Sequence, residues 1–276
     1  MPRPNFTIFA QHYLSVLLSD FGDIYLNEPI PRNPNLRVFK QPSRFNWQTE
    51  YLTAITAENK RIMVSPEVIG EAEIVDVLFE PNTEKSRASL GLLGTIVSVP
   101  CIIETLRWAP NEWDLRTCML HWLTWKSEAD GSIIPVNESS IATNGQNDEY
   151  CDEVDRSLLI ITPSITSQML QGLTARASAI AIPGVYELPS AFCTTIIATS
   201  ELPKNSSTLW LRILGRGSTQ RQAILELFAL DENYPHRTVI LHQLRQWYRF
   251  LSSGKLGKES ARLMTLLAMI DGTSKE

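Results

Sequence analysis

The sequence predicts a mixed α/β fold, a sheet flanked by helices and followed by a helical C-terminal extension. Two patterns predict it. Over about the first two hundred residues, short apolar runs of strand character alternate with runs whose apolar residues recur at helical spacing. Beyond that point only the helical spacing continues. The chain therefore divides into an α/β core, residues 1–205, and a helical extension packed on it, residues 206–276. A third observation concerns chemistry. Two predicted strands each hold a carboxylate among aliphatic neighbours, Asp76 in EIVDVLFE and Glu104 in CIIETLRW.

The elements follow in order. FTIFAQHYLSVLLSD, residues 6–20, sets Phe6, Phe9, Tyr13, Val16 and Leu17 at helical spacing and predicts an amphipathic helix. NEPIPRNPNLRVFKQPSRFN, residues 27–46, carries four prolines and predicts a loop. WQTEYLTAI reads as a short helix, and RIMVSPEVI is strand-like but broken by Pro66. EIVDVLFE is a strand, EPNTEK a turn, and SLGLLGTIVSV a buried helix despite its glycines. VPCIIETLRW is a second strand. NEWDLRTCMLHWLTWKSE is a helix with Asn111 as its cap and Trp113, Leu115, Met119, Trp122 and Leu123 as apolar positions.

From Ser127 to Glu153 the chain is polar and acidic and predicts a flexible surface insertion. SLLIITP is a buried strand, SITSQMLQGL a helix with Ser164 at its N-cap, and GVYELPSAFCTTIIATSEL one or two further strands. SSTLWLRILGRG is a short helix stopped by Gly215. STQRQAILELFAL, HRTVILHQLRQWYRFL and KESARLMTLLAMI are three more helices.

Composition sets bounds. The chain of 276 residues has an ordinary globular composition, and its longest apolar stretch, LGLLGTIVSVPCII, is too short and broken for a membrane span. No signal peptide is read at the N-terminus, which points to the cytoplasm. Cys101, Cys118, Cys151 and Cys193 form no CxxC pair, so they read as buried or idle thiols. A formal charge of −5 argues against a general nucleic-acid coat but leaves room for a local basic groove. His12, His121, His236 and His242 are dispersed, and no Ser/His/Asp constellation, GxGxxG or Walker pattern is present.

Side chains alternate across a strand. Ile74, Asp76, Leu78 and Glu80 should share one face, and Val75, Val77 and Phe79 the other. Ile102, Glu104 and Leu106 should likewise share a face. An unpaired charge between aliphatic neighbours is costly, so each acid needs a proton, a cationic partner or a metal. Two such acids on adjacent strands repel unless a divalent cation lies between them, and oxygen ligands suit Mg²⁺ or Mn²⁺. The plain alternative puts Asp76 at a frayed strand end, or pairs it with Arg107 or Arg116.

GEAEIVDVLFEPN, LGLLGTIVSVPCIIETLR, LLIITPSITSQMLQGL and above all TLWLRILGRGSTQRQAILELFAL resemble a bacterial family. That family is similar to the Rpn group of recombination-promoting nucleases, within the PD-(D/E)XK superfamily. The resemblance runs from about Glu71 to Leu251 and includes the N-terminal helix. It implies a restriction-endonuclease-like core that hydrolyses DNA phosphodiesters with Mg²⁺. Asp76 then matches the first Asp of the motif and Glu104 the acid of D/E-x-K, both as metal ligands and catalytic groups. The lysine is missing: Leu106 stands in its place. Arg107 is one step further and should face the other way, and arginine cannot act as a base. Lys126 and Lys85 are conceivable migrated lysines, and Glu50 a conceivable further acid.

LRILGRGSTQRQ gathers Arg212, Arg216 and Arg221 around two glycines. They read either as phosphate contacts for nucleic acid or as a helix–Gly–helix turn whose arginines cap carbonyls and pair with Glu226. Three functions stay open. One is a Mg²⁺-dependent DNA endonuclease, intact or degenerate. The second is a non-catalytic protein-interaction or scaffold module on the same fold. The third is a nucleic-acid binder without cleavage. Homodimerisation through the helical tail, which many nucleases use to cut two strands, is a further expectation.

Overall fold

The computed structural model describes residues 4–30, 73–129 and 156–252. The segments WQTEYLTAI, RIMVSPEVI and KESARLMTLLAMI, the residues Glu50 and Cys151, and nearly all of the acidic insertion lie outside these ranges. Helix α1 (Pro4–Leu18) leads into strand β1 (Gly22–Ile30). Strand β2 (Glu73–Pro81), a 3₁₀ turn (Ala88–Leu90), the short helix α2 (Leu92–Ile96) and strand β3 (Cys101–Thr105) follow. Then come α3 (Glu112–Ala129), β4 (Ser157–Thr162), α4 (Ser167–Gly172), β5 (Arg176–Ala177), β6 (Val185–Glu187) and β7 (Thr194–Ala198). Helices α5 (Leu209–Ile213), α6 (Ser218–Ala229) and α7 (Arg237–Ser252) close the described chain.

The strands form one seven-stranded mixed sheet in the order β1-β2-β3-β4-β7-β6-β5. Its centre, β3-β4-β7, is parallel; the pairs on either side are antiparallel. All five residues of β3 are buried, as a strand covered on both faces requires. One face carries α1, α2, α5, α6 and α7, whose apolar residues pack with Val77, Phe79, Ile103, Leu159, Ile161 and Ile197. The other carries α3 and α4, which cover Leu78, Ile102, Leu158, Ile160 and Ile196. Leu209, Trp210, Ile224, Ile240 and Trp247 sit in the same core as Phe6, Tyr13 and the sheet, so no separate core divides residues 206–252 from the strands.

The structure corrects several sequence expectations. Asn27–Ile30, read as the start of a loop, completes β1. Pro29 is tolerated there because β1 is an edge strand. Helix α3 runs on to Ala129, past the expected start of the insertion. The cap of α4 is Thr166, not Ser164: the Thr166 side chain accepts from the Met169 amide. SLGLLGTIVSV is not one helix but a 3₁₀ turn and a short α-helix hinged at Gly91. Gly91 has φ +55°, and a Cβ there would stand 2.4 Å from the Ser207 carbonyl oxygen. Gly91→Ala therefore combines a strained backbone with a backbone clash, and should cost about 2–4 kcal/mol in urea unfolding.

Candidate functional site

The β1–β2 ladder is continuous except at one place. Leu26 pairs with Val77 and Glu28 with Val75, but Asn27 and Asp76 between them do not pair. Asn27 has φ +52°, a left-handed conformation that Asn tolerates better than most residues. Gln11, buried on α1, fills the gap, donating to the Asn27 side-chain oxygen at 2.8 Å and the Asp76 carbonyl at 3.1 Å. The pleat breaks here. Val75 packs with Leu78 on the α3 face and not with Val77 and Phe79, and Ile74 is exposed, contrary to simple alternation.

The β2–β3 register pairs Val77 with Ile103 and Leu78 with Ile102. Asp76 and Glu104 are the next residues beyond the Val77–Ile103 pair, and they stand close enough for Glu104 to act on the Asp76 carboxyl. Both acids lie on the face covered by α3. The Thr105 amide and hydroxyl each donate to Asp76 Oδ2 at 3.3 Å. From α3, the His121 Nδ1 donates to Glu104 Oε1 at 2.8 Å. Glu104 is only 6% exposed and His121 is buried with it. Thus each carboxylate has one oxygen held by the protein. Among the described residues, Asp76 Oδ1 and Glu104 Oε2 accept no hydrogen bond.

The electrostatics follow from this closeness. Burial first, and then the neighbouring Glu104, push the Asp76 carboxyl from 3.8 up to about 7; Thr105 and His121 oppose them. Burial and the same two carboxylates raise the Cys118 thiol well above its usual range, which places Cys118 beside the site as well. Among the described residues Asp76 is not paired with Arg107 or Arg116, as the plain alternative supposed. Arg116 pairs with Glu112 on the exposed side of α3. Arg107 lies against Phe6 and Trp247 on the opposite face and donates to the Gly215 carbonyl.

Leu106 packs into the apolar layer beneath α3 and α4, and its amide donates to Ile161. Lys85 is exposed beyond the far end of β2, and Asp76 to Pro81 alone spans about 17 Å of strand. Lys126 is half-buried on α3. The residue that reaches the acid pair from α3 is His121, through its hydrogen bond to Glu104, and sequence reasoning passed over it. A signal was available: His121 stands three residues after Cys118 and four before Trp125, on the buried stripe of α3.

The three arginines do not form one site. Arg212 is fully buried, bound to Glu226, the Thr208 hydroxyl and the Asn205 carbonyl. Of its two readings, the one that caps carbonyls and pairs with Glu226 describes Arg212: every nitrogen is committed within the fold. Arg216 lies 3.5 Å over the ring of half-exposed Trp108, and Arg221 is exposed on α6.

Two carboxylates with one unengaged oxygen apiece fit a Mg²⁺ or Mn²⁺ ion, which typically takes one or two carboxylates and completes its shell with water and substrate oxygens. Among the described residues no group of three or more His, Cys, Asp or Glu is placed to hold a metal ion, so a cation here would rest on the two carboxylates alone. No described helix is long and apolar enough to cross a membrane. No family model, curated protein or solved structure matches the chain. Fold and site together define an α/β protein with a mixed seven-stranded sheet and an acid pair on its two neighbouring strands β2 and β3.

Proposed function

We propose that this chain has a restriction-endonuclease-like core and acts on DNA as a Mg²⁺- or Mn²⁺-dependent endonuclease of the Rpn-like kind, working slowly and in the cytoplasm. The observation that supports this most is the pair of unengaged oxygens, Asp76 Oδ1 and Glu104 Oε2, on neighbouring strands. A bound divalent cation would supply Lewis acidity and a water of lowered pKa. The protein's part is orientation. Thr105 fixes Asp76, His121 fixes Glu104, and the apolar layer around Leu78 and Ile102 backs the strands that carry them. The slowness follows from Leu106, which gives the site no amine to steady a phosphate.

A plasmid-cleavage assay with each metal tests this reading. Wild type should nick, and Asp76→Ala and Glu104→Ala should each abolish nicking. Folded wild type that cuts with neither metal would favour a partner-binding module instead. One observation favours that second reading: Trp113 (74% exposed), Leu120 and Leu123 form an outward apolar stripe on α3.

A further inference from the structure

We propose that His121 is the positioning residue of the Asp76–Glu104 site: its imidazole holds Glu104 in the orientation that leaves Oε2 able to ligate a cation. This rests on the cation-binding reading above and goes beyond it, because it names what orients the second ligand.

The geometry is specific. The His121 Nδ1 reaches Glu104 Oε1 at 2.8 Å, and both side chains are buried. A carboxylate pinned by one oxygen cannot swing, so its other oxygen has a fixed direction. Thr105 does the same for Asp76. The two acids are thus held alike, one from the sheet's own backbone and one from the helix above it. Hydrogen-bonded partners of this kind behind metal-ligating carboxylates typically change metal affinity 10- to 100-fold.

The helix bearing His121 has little freedom to adjust. Its start is locked by a reciprocal cap: the Asn111 side chain accepts from the Asp114 amide, and the Asp114 side chain accepts from the Asn111 amide. Leu115, Cys118, Trp122 and Trp125 are buried along the same face as His121. The Trp122 indole donates to the Arg156 carbonyl at 3.1 Å, tying the helix to the start of β4. His121 is therefore held at a set height over Glu104.

Mn²⁺ binding to the full chain, read by electron paramagnetic resonance, tests the proposal. Wild type should bind and Asp76→Ala should not. His121→Ala should bind about 10- to 100-fold more weakly. His121→Asn should recover most of the loss, because its amide nitrogen stands near the place of Nδ1. If wild type and Asp76→Ala bind Mn²⁺ alike, the cation-site reading itself fails. If Asp76→Ala abolishes binding but His121→Ala leaves it unchanged, the role of His121 is overturned while the site stands. A measurement on wild type alone guards against a variant that does not fold. Mg²⁺ added to ¹⁵N-histidine-labelled protein should shift the His121 Nδ1 resonance. No change in that resonance at a Mg²⁺ concentration that saturates the site overturns the proposal.

Discussion

Asp76→Asn should stabilise the metal-free protein above pH 7, by about 2–4 kcal/mol at pH 8. In the folded chain the Asp76 carboxyl holds its proton up to about pH 7, against 3.8 ordinarily. Between those values the folded state binds the extra proton and the unfolded state does not. Stability then falls as pH rises. The contribution is complete below about pH 4, shrinks from pH 4 to 7, and is gone above. Every tenfold difference in proton affinity between the folded and unfolded chain corresponds to about 1.4 kcal/mol, which sets the upper figure. Asparagine has no proton to lose, so its stability profile should be flatter across this range. Urea unfolding in chelator at pH 5, 6, 7 and 8 measures the gap between the two proteins. Parallel profiles would remove Asp76 as the buried titrating group. Adding Mg²⁺ should reverse the ranking at pH 8, because the cation favours ionised Asp76 and binding to the folded state alone adds stability.

Arg212→Ala should cost about 3–5 kcal/mol, the usual effect of breaking a buried ion pair from one side. The guanidinium is 1% exposed and is held by Glu226, Thr208 and Asn205, three groups that join the entry to α5 with the middle of α6. Truncation leaves the Asn205 carbonyl and the Thr208 hydroxyl short of a donor and opens a cavity. Arg212→Met, which refills the space with an apolar chain, should recover part of the loss. Denaturant midpoints of both variants check this. A stable Arg212→Ala protein with weakened DNA binding would instead return the residue to the role of phosphate contact.

Much of the fold was legible where apolar pattern and burial coincide. EIVDVLFE, CIIET and SLLIIT are strands because a sheet covered on both faces demands apolar runs. The helix α3 was equally plain, but its buried face was only half read: Leu115 and Trp122 are buried as expected, while Trp113 and Leu123 face outward and Cys118, His121 and Trp125 take their place. Strand β1 was not, since Asn27 and Pro29 are poor strand residues and only pairing with β2 holds them extended. Alternation predicted that Asp76 shares a face with Leu78 and Glu104 with Ile102. It could not predict that the two strands are neighbours in matching register, which depends on contacts far apart in sequence. Nor could it predict the reversal at Val75, which comes from one left-handed residue on the partner strand. His121 was readable only by joining the helical stripe to the strand it covers. Arg212 read ambiguously because an arginine beside glycines looks the same in sequence whether it meets a phosphate or Glu226.

Phe9 of α1 stacks on Trp247 of α7 with ring centroids 4.2 Å apart, and Tyr13 donates to the Trp210 carbonyl. The contact joins the beginning of the described chain to its end, and this has a consequence in time. A ribosome adding about 5–20 residues per second leaves Phe9 without Trp247 for roughly 12 to 48 seconds. Throughout that interval Phe6, Phe9, Leu14 and Leu17 have no finished surface to meet. The nascent chain therefore presents an apolar helix to whatever surrounds it, and residues made well before α7 are sheltered only once α7 has followed them.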